Sequence, residues 1–190
     1  MLILASRSPR RQSLLRSAGI DFRVVAPPME DATSPRVRGS YAAWVRRAAL
    51  KKALAVAAHE RGVVLGADTI VVCEGEVLGK PSGPSDARRM LRKLSGKWHR
   101  VYTGVALVCG RQRLLDYERT EVAFRRLSKH EIDWYVETGE PMDKAGAYAI
   151  QGQGAGLVQA VRGCYSNVIG LPLPTVLKML AQFRPEDRAR

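Results

Sequence analysis

Val63-Val64-Leu65-Gly66-Ala67-Asp68-Thr69-Ile70-Val71-Val72 is a β-branched run with two small and two polar residues set in its middle. Runs of this composition read as strand buried on both faces, the kind found at the centre of an α/β sheet. The polar tetrapeptide Gly66-Ala67-Asp68-Thr69 is expected to interrupt or end that strand. A carboxylate inside apolar sequence is costly to desolvate unless a metal or another cation answers it. Asp68 is therefore the first candidate for chemistry, against the plainer alternative of an aspartate that makes a turn by bonding its own backbone. The small residues before it leave room for a ligand to approach.

Working outward, Leu2 to Ala5 reads as a strand that hands over to a helix from Pro9 to Ala18, with Ser8 as N-cap and Pro9 at the first helical position. Phe22 to Val25 is a second strand, and Tyr41 to about His59 a long Ala-rich helix. Downstream, Ser85 to Leu94 is expected to be helical, followed by strands near Val101 to Val108 and Arg113 to Arg125. Ser128 caps a helix through Val136 with Glu131 in capping-box position. Leu157 to Val161 is a short strand and Pro172 to Phe183 a closing helix. Strands alternating with helices give an α/β fold, and the adjacent strands in the middle make its sheet mixed. With no repeat and no linker, residues 1–184 form one domain and residues 185–190 a charged tail.

The composition, 46% hydrophobic and 26% charged, is that of a globular chain. Leu2 to Ala5 runs at once into Arg7, so neither a signal peptide nor a spanning helix is expected, and the chain is placed in the cytoplasm. Cys73, Cys109 and Cys164 are far apart and lack a Cys-x-x-Cys pair, which argues against a structural zinc and for reduced thiols. The formal charge of +13 favours polyanionic partners, nucleotides and nucleic acids alike.

Several segments could meet such an anion. Ser6-Arg7-Ser8-Pro9-Arg10-Arg11 lies at a helix start, where free N–H groups and the helix dipole attract phosphate and where arginine forks can bind it twice. A plain helix start with exposed basic residues is an even alternative. Gly75 to Pro81 falls one residue short of a Walker loop and ends in proline, though Lys80 remains a usable point charge. Gly152-Gln153-Gly154-Ala155-Gly156 lacks the spacing of a dinucleotide fingerprint. Glu140 to Gly152 is too irregular for helix or strand and dense in polar groups, as binding loops are. Within it Gln151 can read a base, because its amide offers a donor and an acceptor. His99 and the scattered Trp44, Trp98 and Trp134 are read as structural.

Taken in order, Ser-x-Ser-Pro-Arg-Arg at 6–11, Gly-Ala-Asp-Thr at 66–69, Gly-Lys-Pro at 79–81, Ser-Gly-x-x-His-x-Val-x-Thr-Gly-Val at 95–105 and the Asp143–Gly152 loop resemble the Maf family of nucleotide pyrophosphatases. The resemblance implies a mixed, twisted sheet with flanking helices, two lobes around a central cleft and a homodimer. It also implies cleavage of nucleoside triphosphates with a divalent cation, Mg²⁺ or Mn²⁺. Asp68 would then accept the proton of water, Lys52 and Lys80 would sit at the phosphates, and Arg11, Thr69 and Gln151 would tune substrate choice. A further acidic metal ligand, most often Glu in the family, falls on Glu30 or Asp31, with Asp31 the aligned residue. Asp-Lys-Ala-Gly-Ala-Tyr followed by Ile-Gln-Gly looks like the subgroup acting on dTTP and UTP, whereas a subgroup preferring 7-methyl-GTP differs in this loop.

The expectation is thus a triphosphate held by Ser8, Arg10, Arg11, Lys52 and Lys80, with the cation bridging it to Asp68 and the Glu30-Asp31 pair, and with Lys144 a further substrate-binding candidate. No membrane and no stable nucleic-acid partner is expected. The rivals are a 7-methyl-GTP or broad house-cleaning pyrophosphatase and a non-enzymatic nucleic-acid-binding protein.

Overall fold

The computed structural model describes residues 1–28, 37 and 39–183. Among these residues seven strands form a mixed sheet in the order β2-β1-β3-β5-β6-β7, with β4 also pairing β3. The strands are β1 (Leu2–Ala5), β2 (Phe22–Val24), β3 (Val64–Cys73), β4 (Glu76–Leu78), β5 (Trp98–Cys109), β6 (Gln112–Phe124) and β7 (Val158–Arg162). β1 runs parallel to β2 and β3, and every pairing from β3 onward is antiparallel. The helices are α1 (Pro9–Ser17), α2 (Tyr41–Ala57), α3 (Pro84–Leu94), α4 (Lys129–Glu137), α5 (Tyr165–Ile169) and α6 (Leu173–Leu180). No helix among the described residues is long and apolar enough to cross a membrane.

The local signals set these boundaries. Ser8 accepts the Arg11 N–H with Pro9 at the first helical position, Ser40 caps α2 through the Ala43 N–H, and Ser128 and Glu131 complete a capping box. β3 departs from the sequence expectation. It runs unbroken through Gly66-Ala67-Asp68-Thr69, paired residue by residue with β5. Buried polar side chains are tolerated mid-strand when they are hydrogen-bonded, and both Asp68 and Thr69 are. β4, reached by a tight turn at Glu74-Gly75, and the five-residue α5 are too short to show a period and were not expected.

Along β3 successive side chains alternate between the two faces of the sheet, and each face carries two separate apolar cores. On one face Leu65 and Ala67 join Leu4, Leu107 and Val176, while Val71 and Cys73 join α3, α4 and Phe124. On the other, Val64 packs with Ala49 and Ala53 of α2, and Ile70 and Val72 pack with Val45 and Tyr102. Between each pair of cores lies one polar level, Thr69 with Thr103 on the first face and Asp68 opposite Gly104 on the second. This level is the waist between two lobes, and it places the functional residues.

α2 reaches the second face only because Gly66 and Gly104 carry no side chain. A Cβ on Gly66 would stand 2.3 Å from the Ala49 carbonyl oxygen, and one on Gly104 2.2 Å from that of Val45. The small residue before Asp68 thus admits a helix backbone, where the sequence suggested room for a ligand.

Candidate active site

β1 ends at Ala5 opposite Gly66, and β4 joins at Val71. Between those registers the β1 side of β3 has no strand partner among the described residues. The segments leaving the two ends of this gap, Ser6 to Arg11 after β1 and Gly79-Lys80 after β4, line a cavity of about 470 Å³ together with Asp68 and Thr69. That volume lies within the usual range of small-molecule sites.

At the floor the Asp68 carboxylate pairs with the Lys52 ammonium through Oδ1, both side chains being almost wholly buried. Lys52 projects from the middle of α2, so the close approach at Gly66 and Gly104 is what brings the pair together. Burying two charges is costly unless they meet each other. On the opposite face the Arg11 guanidinium, 7% exposed, donates to the Gly170 carbonyl (2.8 Å), Ser6 Oγ (3.1 Å) and Thr69 Oγ1 (3.1 Å). Thr69 Oγ1 lies 3.0 Å from Thr103 Oγ1, which donates to the Asn167 carbonyl at 3.2 Å. Because the Asn167 carbonyl can only accept, Thr103 donates its one proton there and accepts from Thr69, so the hydroxyl protons run one way, from Thr69 to Thr103 to Asn167. Asn167 Nδ2 continues it to Thr120 Oγ1 at 2.9 Å. A polar seam thus crosses the waist and ties α1 to α5.

The rim is built by the 140s loop. Arg10 donates to Asp143 Oδ2 (3.1 Å) and Lys144 Nζ to Asp143 Oδ1 (2.6 Å). Burial pushes the Asp143 carboxyl up, but hydrogen bonds and charge from Lys144 and Arg10 hold it below the ordinary carboxylate value. The Gly146 N–H donates to the Gly79 carbonyl at 3.0 Å, fastening this loop to the turn that bears Lys80. Among the described residues six cations, Arg7, Arg10, Arg11, Lys52, Lys80 and Lys144, line the cavity against two carboxylates, Asp68 and Asp143. A polyanion is the ligand such an excess of positive charge favours.

Behind the rim, Tyr148 OH meets His99 Nε2 at 2.8 Å, in a buried cluster with Phe124. His99 does not line the cavity, in keeping with its structural reading, and burial pushes its pKa from 6.5 down to about 4. The linkage has a definite sign. As pH falls below 6.5 the unfolded chain takes up a proton that the folded chain refuses until about pH 4. The contribution is full above that window and is lost downward through it, roughly 2 kcal/mol by about pH 4.5. Denaturant unfolding of the wild type at neutral pH and near pH 4.5 should show this loss, and His99→Gln should remove most of the slope. Equal slopes in the two proteins would assign the effect to other groups.

Ser8, Arg10, Arg11, Lys52, Asp68, Thr69, Lys80, Lys144 and Gln151, all singled out from sequence, line this one cavity. Glu30 and Asp31 lie outside the described residues, as does the charged tail. Sequence reasoning missed Trp44, which borders the cavity, and the seam residues Thr103, Thr120 and Asn167, all fully buried. Nothing local marks an asparagine in a five-residue helix as the link between two strands.

The model of the Maf family, described as Maf-like protein, matches residues 1–183. The chain belongs to the Maf family. A dTTP/UTP pyrophosphatase of Symbiobacterium thermophilum is 54% identical over 187 residues, covering 96% of this Maf chain and 93% of that protein. The dTTP/UTP pyrophosphatase of Bacillus cytotoxicus is 50% identical over 182 residues, covering 95% of the chain and 94% of that protein. Among solved structures, a HAM1 protein from Coxiella burnetii superposes with a TM-score of 0.51 at 16% identity, covering 96% of this chain and 98% of that one. That likeness is one of fold.

Among the described residues no three His, Cys, Asp or Glu side chains gather into a metal cage. Mg²⁺ is commonly held by one or two carboxylates together with substrate phosphates. The Asp68 carboxylate on the cavity floor fits a cation that arrives with a polyphosphate.

Proposed function

We infer that this Maf chain hydrolyses dTTP and UTP to the monophosphate and pyrophosphate. The observation that carries this reading is the buried Asp68–Lys52 pair on the floor of a cation-rich cleft, in a chain half identical to proteins named for that activity.

In the proposed reaction the triphosphate lies across the N-terminus of α1. Arg10, Lys80 and Lys144 face its oxygens, and Asp143 pairs with Arg10 and Lys144 at the rim. Water attacks the α-phosphorus, the bond to the bridging oxygen breaks, and pyrophosphate leaves with the pair of electrons. Asp68 orients the water and accepts its proton, while Lys52 keeps the carboxylate in place. Phosphoryl transfer depends on positioning and on neutralising charge on the leaving group, and these cations answer that need. A divalent cation, Mg²⁺ or Mn²⁺, held by Asp68 with Glu30 or Asp31, would add to that neutralisation.

A homodimer in the cytoplasm belongs to the same reading. Exposed Leu115 and Tyr117 on β6, where no strand covers the outer edge among the described residues, support the dimer. A monomeric mass in solution would remove it.

A panel of nucleoside triphosphates assayed for pyrophosphate, with metal and with chelator, tests the whole. Release from dTTP and UTP that stops with chelator is expected. Faster turnover of 7-methyl-GTP, or oligonucleotide binding without hydrolysis, would overturn the reading. Gln151→Ala should lower the preference for dTTP and UTP over other bases by about tenfold or more, and an unchanged ranking would place base reading elsewhere.

A further inference from the structure

The glycine-rich stretch after Gln151 encloses an anion, and that anion belongs to the chain itself. Gln153 N–H donates to Glu140 Oε2 at 3.1 Å and Gly154 N–H to Glu140 Oε1 at 3.0 Å. The fully buried Tyr135 joins them, its hydroxyl donating to Glu140 Oε1 at 2.8 Å and accepting the Ala149 N–H at 3.0 Å. Tyr165 OH donates to the Ile150 carbonyl at 3.4 Å. The glycines are needed for this enclosure. Gly152 has φ +67°, with a Cβ position 2.8 Å from Glu140 Oε2, and a Cβ on Gly154 would stand 2.5 Å from Tyr135 OH. Gln151, exposed and extended, is thus held on both sides by groups that do not line the cavity.

We propose that Tyr135 and Glu140 are positioning residues that set base selection, by fixing the backbone from Ala149 to Gly154 that presents the Gln151 amide. This rests on the function proposed above and deepens it. Thymine and uracil offer a carbonyl acceptor beside an N–H donor, whereas cytosine offers an amino donor beside a ring acceptor. An amide can satisfy either pattern by turning over, since it carries one acceptor and two donors. With the backbone held in one place the two orientations of the amide meet different surroundings and differ in energy, whereas a loose backbone lets either orientation follow the base. The clamp supplies that hold through a charged acceptor, which makes stronger bonds to N–H groups than a neutral one. Burial pushes the Glu140 carboxyl up, yet the Tyr135 hydroxyl and the two N–H groups outweigh it and keep it below its ordinary value.

The test compares wild type, Tyr135→Phe, Gln151→Ala and the double variant, with Glu140→Gln as a second lesion in the clamp. Tyr135→Phe should lower the ratio of kcat/KM for dTTP over dCTP by about tenfold, the loss expected from two hydrogen bonds, mainly through a higher KM for dTTP. Amide exchange at Gln153 and Gly154 should quicken, while inhibition by inorganic tripolyphosphate should stay as in wild type. In the Gln151→Ala background the same substitution should lower the ratio no further. An unchanged ratio in both clamp variants, or a drop that adds fully to that of Gln151→Ala, would overturn the proposal. A wild type inert toward both nucleotides would fail the function reading instead, and the ratio of dTTP to dCTP binding constants would then decide on the clamp in the same variants.

Discussion

Asp68→Asn is expected to reduce pyrophosphate release from dTTP by a hundredfold or more, roughly the cost of removing a general base or one well-aimed electrostatic group. The substitution keeps the shape of the side chain and an oxygen that can accept from Lys52. What it removes is the negative charge and the capacity to take a proton from water. The waist of the sheet should therefore remain, with Thr69 and Thr103 in register on the other face, and nucleotide should still bind through the rim cations. Circular dichroism and a dTTP titration alongside the rate measurement separate the chemical loss from a structural one. Turnover equal to wild type would remove Asp68 from the reaction, and loss of binding together with rate would make it a residue of the ligand site alone.

How much of this site can be read from the chain depends on the range of the interactions involved. The turn from β1 into α1 is legible because Ser8, Pro9 and the Arg11 N–H act within one helical turn. Asp68 is legible because a carboxylate in an apolar run has to be answered by something. What answers it is not, since Lys52 lies on another element and reaches Asp68 only through the packing of α2 on the sheet. The expectation that Gly66-Ala67-Asp68-Thr69 would break the strand failed for the same reason, because propensity sees two polar residues and not their distant partners. Gly152-Gln153-Gly154 carries a true anion-binding signal that composition alone cannot assign. Its anion is Glu140, held within the same loop, and no phosphate spacing rule could have found it.

The packing of α2 makes the second large effect one of stability that carries function with it. Gly104→Ala should lower the unfolding free energy by about 3 kcal/mol, near the upper end of the usual cost of overpacking. The added methyl would stand 2.2 Å from the Val45 carbonyl oxygen and 2.6 Å from the Arg46 nitrogen, both helix backbone that cannot turn aside as a side chain would. For a chain of this length that loss corresponds to a fall in Tm of roughly 6–12 °C. Relief is available if α2 lifts from the sheet, but Lys52 rides on that helix and Gly104 is the cross-strand partner of Asp68. A lifted helix draws the ammonium away from the carboxylate it holds, so kcat should fall below wild type even at temperatures where the variant is fully folded. Gly83→Ala, where an added Cβ meets nothing within 4 Å, is the control: as a change at the N-cap of α3 it should cost no more than about 1 kcal/mol and leave kcat as in wild type. A Gly104→Ala protein that melts with wild type would show that α2 yields without cost, and one that melts early yet turns over at the wild-type rate would uncouple the seating of the helix from the catalytic floor.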